Sequence, residues 1–359
     1  MSSNTKFYLA FAGVFLAAVS SHAGPVTTGS PITYDFNGDG KSDLLFEKVV
    51  APNVGLMQIR LLDGVMALST TFPTTLSSGQ EASGAGDFNG GSTNAELLAR
   101  KTTAPNLGIV RMMNLNAGGT AVTSSAFPVT PGVEFKLVGV GDVDKDGNDD
   151  LVYYKASGAN TGLVRVIFMN ADLTVKASTF PANFPADFVG AGVADVNGDG
   201  NADIIARKAN APNQGLVRVF LMSANGLTVQ SSTFPFTIPS GFELRGIATL
   251  NDDDLADFAM ERTVAPNVGL IRLSMTAVGG GSIASTAFPL TLAAGTNVVA
   301  LGNYDGVDHN DLAARKAAAP NAGLVRIILL NTAATAVSSS GFPATVPLEF
   351  RTVTNVDPI

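Results

Sequence analysis

Residues 195–203, DVNGDGNAD, carry oxygen-bearing side chains at the spacing of a divalent-cation loop. Oxygen side chains stand at positions 1, 3, 5 and 9, and position 7 can offer its backbone carbonyl, which gives the set Asp195, Asn197, Asp199, Asn201 and Asp203. Gly200 at position 6 allows the sharp turn that such a loop requires. Hard oxygen ligands in this arrangement suit Ca²⁺, so the stretch predicts a calcium site.

The same pattern recurs along the chain with graded completeness. Two further loops are intact and supply Asp35, Asn37, Asp39, the Lys41 carbonyl and Asp43, and Asp142, Asp144, Asp146, the Asn148 carbonyl and Asp150. A fifth loop has Thr249 at position 1 and Asp254 in place of the glycine, and it keeps Asn251, Asp253 and Asp257. Loops 87–96 and 303–311 have lost their central carboxylate, so we expect them to be empty or poor. The prediction is three strong Ca²⁺ sites and one weaker site.

One other interpretation of these loops remains open. Asp, Asn and Gly also build ordinary turns without a metal. An EF-hand loop would place a bidentate Glu at position 12 and helices on both sides, but Ala206 stands there and the flanks are strand-like. Three intact copies favour metal over a plain turn. A structural role for the ion is favoured over contact with a ligand.

The loops mark an internal repeat. They begin near residues 35, 87, 142, 195, 249 and 303, so one unit recurs every 52 to 55 residues. Each unit contains four strand candidates, as in EFKLVGVG, LVYYKA, LVRVIFMN and LTVKASTFP of the third unit, and no helical period is evident. Such units predict an all-β protein: a β-propeller of about six four-stranded blades. A C-terminal copy of the first strand, LEFRTVTNVD, should tie the ring; the alternative is seven blades.

A small-residue strand such as VGAGVA followed by DVNGDGNAD resembles the FG-GAP or VCBS-type repeat, familiar from the integrin α-subunit propeller and from secreted bacterial proteins. The resemblance covers residues 24–359 as a single domain. It implies a propeller with Ca²⁺ in the loops between first and second strands, used for adhesion or for recognition of carbohydrate and protein. The chain departs from the integrin pattern in having six units, three of them with altered loops.

Two other residue series keep the repeat period. Cations occupy one place in the third strand and another at the end of the second, at Arg111, Arg165, Arg218, Arg272 and Arg326 (with Gln58 in the first unit), and at Lys48, Lys101, Lys155, Lys208, Arg262 and Lys316. Each fourth strand ends in Phe-Pro, at Phe72, Phe127, Phe180, Phe234, Phe288 and Phe342. A cation ring could bind acidic glycans, but pairing across strands, or with loop carboxylates and backbone carbonyls at blade junctions, is favoured. The rings could stack on a ligand, but packing anchors are favoured.

The N-terminal residues and the amino-acid composition indicate where in or outside the cell the protein is found. Residues 1–23 contain Lys6, an apolar run and a small-residue site ending at Ala23, which predicts a cleavable signal peptide and a secreted, extracellular or periplasmic protein. We expect no transmembrane segment in the mature chain. The absence of cysteine leaves packing, ring closure or metal to hold the fold. A net charge of -8 without a basic stripe argues against nucleic acid.

The function predicted from these features is a non-catalytic binding or adhesion module, monomeric, with an extracellular protein or glycan as partner. One alternative is a purely structural surface or matrix component. A polysaccharide-acting enzyme is least favoured, because His309 is the one histidine after the signal peptide and most Asp residues fall in the loops.

Overall fold

The computed structural model describes residues 35–90, 94–307 and 309–353. The predicted signal peptide and residues 31–34 of the predicted first strand lie outside the described residues. Asp35 and Phe36, which complete that predicted strand, belong to a loop. Within the described part no helix is long and apolar enough to cross a membrane.

Six antiparallel four-stranded sheets follow the six sequence units, which confirms the all-β propeller and excludes the seven-bladed alternative. The strands of blades 1 to 3 are β1 (Leu44–Lys48), β2 (Met57–Asp63), β3 (Met66–Thr71), β4 (Gln80–Gly86), β5 (Glu96–Lys101), β6 (Val110–Leu115), β7 (Val122–Ala126), β8 (Phe135–Gly141), β9 (Asp150–Lys155), β10 (Val164–Met169) and β11 (Val175–Thr179).

The strands of blades 4 to 6 are β12 (Phe188–Ala194), β13 (Asp203–Lys208), β14 (Val217–Met222), β15 (Val229–Thr233), β16 (Phe242–Ala248), β17 (Asp257–Arg262), β18 (Ile271–Thr276), β19 (Ile283–Ala287), β20 (Thr296–Gly302), β21 (Asp311–Lys316), β22 (Leu324–Leu330) and β23 (Val337–Thr345). The last strand, β24 (Phe350–Thr352), pairs with β1 and supplies the first strand of blade 1. The predicted ring closure by the C-terminal strand is therefore confirmed.

The ring is held by apolar clusters between neighbouring blades. Six such clusters occur, one at each blade junction, and the cluster between blades 6 and 1 includes Phe46, Tyr304 and Phe350. The first strands of neighbouring blades contact one another, as β8 contacts β12, so they lie nearest the central axis. A Cβ on Gly139 would stand 2.9 Å from Val193 of the next blade, which explains why first strands are rich in small residues.

The antiparallel order gives each blade two ends. The loops that carry the predicted metal ligands connect first to second strands at one end, which we call the loop end. The turns that connect second to third strands, and the Phe-Pro segments that leave the fourth strands, lie at the opposite, hairpin end. Five hairpins contain the APNxG sequence, with Asn and Gly at positive φ as the turn chemistry predicts.

Candidate functional site

The six loops form one closed cycle of backbone hydrogen bonds. In each, the carbonyl at position 1 accepts from the position-8 amide of the next loop, as Asp142 O does from Ala202 N at 2.8 Å. The cycle closes where Ser42 N of the first loop donates to Asn303 O of the sixth at 2.7 Å. A change in one loop therefore acts directly on its neighbours.

The position-1 carboxylates organise their own loops. Asp195 Oδ1 accepts from Gly198 N at 2.8 Å, and Oδ2 accepts from Gly200 N at 2.7 Å. Asp35 binds Gly38 N and Gly40 N in the same way. These contacts are those of Asx-type turns, so the loop geometry by itself does not require a metal. The Oδ2 atoms of Asp195 and Asp35 accept one hydrogen bond each, so each retains a lone pair for a further partner.

A second set of carboxylates lies beneath the loops. We call them the position-9 acids: Asp43, Glu96, Asp150, Asp203, Asp257 and Asp311. Asp203 is fully buried, accepting from Val196 N at 3.1 Å and Met222 N at 2.8 Å, and so fastens its loop to the third strand. The five Asp members share this pattern, and Glu96 accepts from Phe88 N at 2.9 Å. The sequence predicted metal coordination for four of these acids and missed their role in fastening the loop. A signal for that role was present, because both degenerate loops keep a position-9 acid, Glu96 and Asp311.

Burial is the largest influence on the pKa values of the position-9 acids. Desolvation raises the pKa of Asp43, Glu96, Asp203 and Asp311 to about 8, that of Asp150 to about 9 and that of Asp257 to about 7. Backbone hydrogen bonds oppose this shift, while carboxylates in the loop above add to it, as Asp35 and Asp39 do for Asp43. A divalent cation among these groups would favour their ionised forms.

The loop oxygens fit a hard cation. Ligand atoms of Asp142, Asp144 and Asp146 lie within 4.8 Å of one another. Asp144 Oδ1 and Asn251 Oδ1, both at position 3, are buried and have no hydrogen-bond partner, which is costly unless another group satisfies them. When bound, Ca²⁺ would supply charge neutralisation and fix the loop oxygens around itself. The residues that would hold it are those predicted for each loop.

In blade 3, a lysine of the fourth strand forms ion pairs with two loop carboxylates. Lys176 on β11 places Nζ 2.7 Å from Asp144 Oδ2 and 2.6 Å from Asp146 Oδ2. Hydrogen bonds to Asp144 and Asp146 raise the pKa of this lysine above its usual value. Gln230 occupies the equivalent place in blade 4. A metal entering the blade 3 loop has to compete with a tethered ammonium group.

His309 has structural contacts. Its Nε2 is 3.2 Å from Leu330 O, and its Nδ1 is 3.3 Å from Asp252 Oδ1 of the fifth loop. The side chain is 3% exposed. It therefore joins the fifth and sixth loops.

The hairpin end brings together the Arg and Phe-Pro series, which the sequence treated separately. Each of the five arginines of this series faces the Phe of the Phe-Pro segment in its own blade, with the guanidinium carbon 5.3 to 6.0 Å from the ring centroid; these Arg–Phe pairs are Arg111–Phe127, Arg165–Phe180, Arg218–Phe234, Arg272–Phe288 and Arg326–Phe342. The packing-anchor interpretation of the Phe series is wrong, because the six rings are between 50% and 61% exposed. A cation on an aromatic face replaces the expected packing.

For these arginines, the expected pairing with carboxylates is wrong, whereas pairing across strands holds for three of them. Among the described residues, none of the five guanidinium groups has a carboxylate within 4.0 Å, whereas Lys48, Lys155 and Arg351 at the same end pair with Glu349, Glu134 and Glu47. Instead, Arg111, Arg218 and Arg326 donate to serine hydroxyls on the fourth strand. For the second-strand cation series the expected pairing holds in part, since Lys101 and Lys316 donate to carbonyls.

Comparison with known proteins adds little beyond this geometry. No protein-family model matches the chain, and no curated protein matches it. Solved structures similar to it include the Dos1 propeller (8% identity, TM-score 0.38, covering 76% of this chain and 62% of that one). A luciferin-regenerating enzyme has 11% identity and a TM-score of 0.39, covering 88% and 98% of the two chains. Raptor of Chaetomium thermophilum has 11% identity and a TM-score of 0.41, covering 85% and 25%. At these TM-scores the likeness carries no argument about function.

Proposed function

We propose that this chain is a secreted propeller of the FG-GAP or VCBS type, stabilised by Ca²⁺, that acts as a non-catalytic binding or adhesion module for an extracellular protein or glycan. The observation that carries the proposal is that the buried position-3 oxygens of Asp144 and Asn251 have no hydrogen-bond partner among the described residues, together with the converging carboxylates of the blade 3 loop. Cation binding satisfies these oxygens and lowers the repulsion among the loop acids.

Calcium then has a structural role in the proposal. The loops are joined in one cycle and fastened to the third strands, so an ion in one loop stabilises the ring as a whole. Ca²⁺ at about 100 times its dissociation constant would add about 2.7 kcal/mol per site to the free energy of unfolding. The hairpin end is then left as the surface that meets a partner.

The metal part is tested by calorimetric titration of chelator-treated protein with Ca²⁺ and by melting with and without the ion. Asp199→Ala should remove one site and lower the melting temperature in Ca²⁺. Asp172→Ala, a change at an exposed turn outside the loops, is the matched control. A Ca²⁺-dependent melt identical in wild type and Asp199→Ala would exclude the metal from this loop.

The binding part is tested by screening the folded protein against glycans and extracellular-matrix proteins, in Ca²⁺ and in chelator, at a temperature where the fold survives both. Binding in both conditions supports a module whose calcium is structural. Binding lost only on chelation would place the metal at the ligand. The absence of binding to every class would favour a purely structural component.

A further inference from the structure

We propose that the five Arg–Phe pairs are equivalent subsites for an anionic polysaccharide, each taking one sugar residue that bears a carboxylate or a sulfate. This inference rests on the proposed binding function and names the ligand class and the surface. It starts from the lack of acidic partners for these five arginines in a protein of net charge -8. Lys48, Lys155 and Arg351 at the same end have acidic partners and Lys101 has a carbonyl partner, whereas these five guanidinium groups have no carboxylate partner among the described residues.

The guanidinium groups are also incompletely satisfied. Among the described residues, the Nε atoms of Arg111, Arg165, Arg218 and Arg326 have no hydrogen-bond partner, but they are buried, so a ligand at the surface would bind the terminal N–H donors. Arg has five N–H donors in a planar fork, and a carboxylate or sulfate accepts two of them side by side. The serine contacts of Arg218 and Arg326 use one nitrogen each and hold the fork against the sheet. The remaining donors select for an oxyanion.

The phenylalanine beside each arginine supplies the other half of the subsite. Its ring is half exposed, and the strand register places it directly across from the arginine, as Phe180 is from Arg165. An exposed aromatic face packs well against the C–H face of a pyranose ring. The pair therefore presents a flat apolar surface next to a positive charge, which matches one acidic sugar.

Repetition favours a polymer over a single small ligand. The pairs recur in five consecutive blades. A shallow subsite binds weakly by itself, but a chain carrying the same group many times can engage several subsites at once. Blade 1 provides an internal contrast, since Gln58 takes the arginine position beside Phe72.

The test measures binding of the Ca²⁺-loaded full chain to polygalacturonate (carboxylated), dextran sulfate (sulfated) and neutral dextran by surface plasmon resonance at low and moderate salt. Wild type should bind one or both anionic polymers and not dextran, more weakly at higher salt. The two anionic arms distinguish a carboxylate from a sulfate as the recognised group. Equal binding of dextran would overturn the proposal.

Substitutions locate the surface. Arg218→Gln should weaken binding about threefold to tenfold, and Gln at all five arginine positions should weaken it more than about 100-fold because avidity is lost. Lys208→Gln removes the same charge from the same blade away from a Phe pair and should change binding less than about twofold. Arg218→Lys should resemble Arg218→Gln, because the fork and the stacking are lost.

Phe180→Ser keeps the charge and should weaken binding like an arginine substitution. Its melting temperature shows whether the fold is intact. If the anionic polymers bind the five-fold variant as tightly as wild type, the subsite assignment is wrong while the binding function stands. If no glycan binds and poly-glutamate does, an acidic protein is the partner and the polysaccharide proposal fails. If nothing in the broader screen binds, the proposed function fails with it.

Discussion

The two ends of the propeller use repeated charged side chains in opposite ways. At the loop end, carboxylates bind backbone amides, and a closed cycle of hydrogen bonds joins all six loops. At the hairpin end, the guanidinium groups of the five Arg–Phe pairs lie on half-exposed rings and have no acidic partner among the described residues. The same repeat thus carries two sets of charged residues. The carboxylates hold the ring together, whereas the arginines keep N–H donors that can bind a partner at the surface. The predicted effects on stability differ accordingly.

The largest expected effect is the loss of a position-9 acid. Asp203→Ala leaves the buried amides of Val196 and Met222 without acceptors, and we expect about 3 to 5 kcal/mol less free energy of unfolding. Asp203→Asn keeps one carbonyl acceptor and should lose less. Denaturant unfolding in chelator measures both variants. A loss below about 1 kcal/mol for Asp203→Ala would contradict the fastening role.

A pH dependence should follow from the same acids. The folded protein holds protons on Glu96 and Asp311 up to a pKa of about 8, above the ordinary carboxyl values of 4.5 and 3.8. Their contribution is fully present below the unfolded pKa and is lost as pH rises through the folded one. In chelator, the melting temperature should therefore fall between about pH 5 and pH 8. Glu96→Gln should make this fall shallower, and an unchanged slope would rule out titration of Glu96.

Within the loop end, the loop of blade 3 differs from that of blade 4 in its contact with the Lys176 ammonium group. Replacing Lys176 with the residue of blade 4, as Lys176→Gln, removes the competing cation from Asp144 and Asp146. Ca²⁺ affinity at the blade 3 loop should rise about tenfold, as expected when an ion pair no longer has to be broken. Calorimetric titration against Gln230→Ala as control resolves the change. An unchanged affinity would mean that the lysine leaves the loop at no cost.

The smallest effect on stability is expected at the hairpin end. Phe288→Ser removes a ring that is 53% exposed, and the free energy of unfolding should fall by less than about 1 kcal/mol. Phe258→Ser, at a fully buried ring of the same blade, is the contrasting control and should be severely destabilising. Equal losses in the two variants would remove the distinction between the ends.

Much of the architecture could be predicted from the sequence. A recurring unit with strand and turn residues predicts about six blades, and the C-terminal copy of the first strand predicts the closure by β24, both of which the structure confirms. These features depend on local patterns. The predicted Ca²⁺ ligands of each loop also follow from local spacing. Titration with Ca²⁺ tests them.

The roles of particular side chains required the tertiary structure. Arg165 and Phe180 meet because the third and fourth strands pair in one register, and a bulge between Phe168 and Met169 shifts that register beyond what turn length alone specifies. Asp203 is buried and binds the third strand because that strand passes beneath the loop that contains Asp203. The spacing of residues therefore determined the ring and its loops, whereas packing decided which charges are buried and which remain available, because burial and pairing depend on strands distant in sequence.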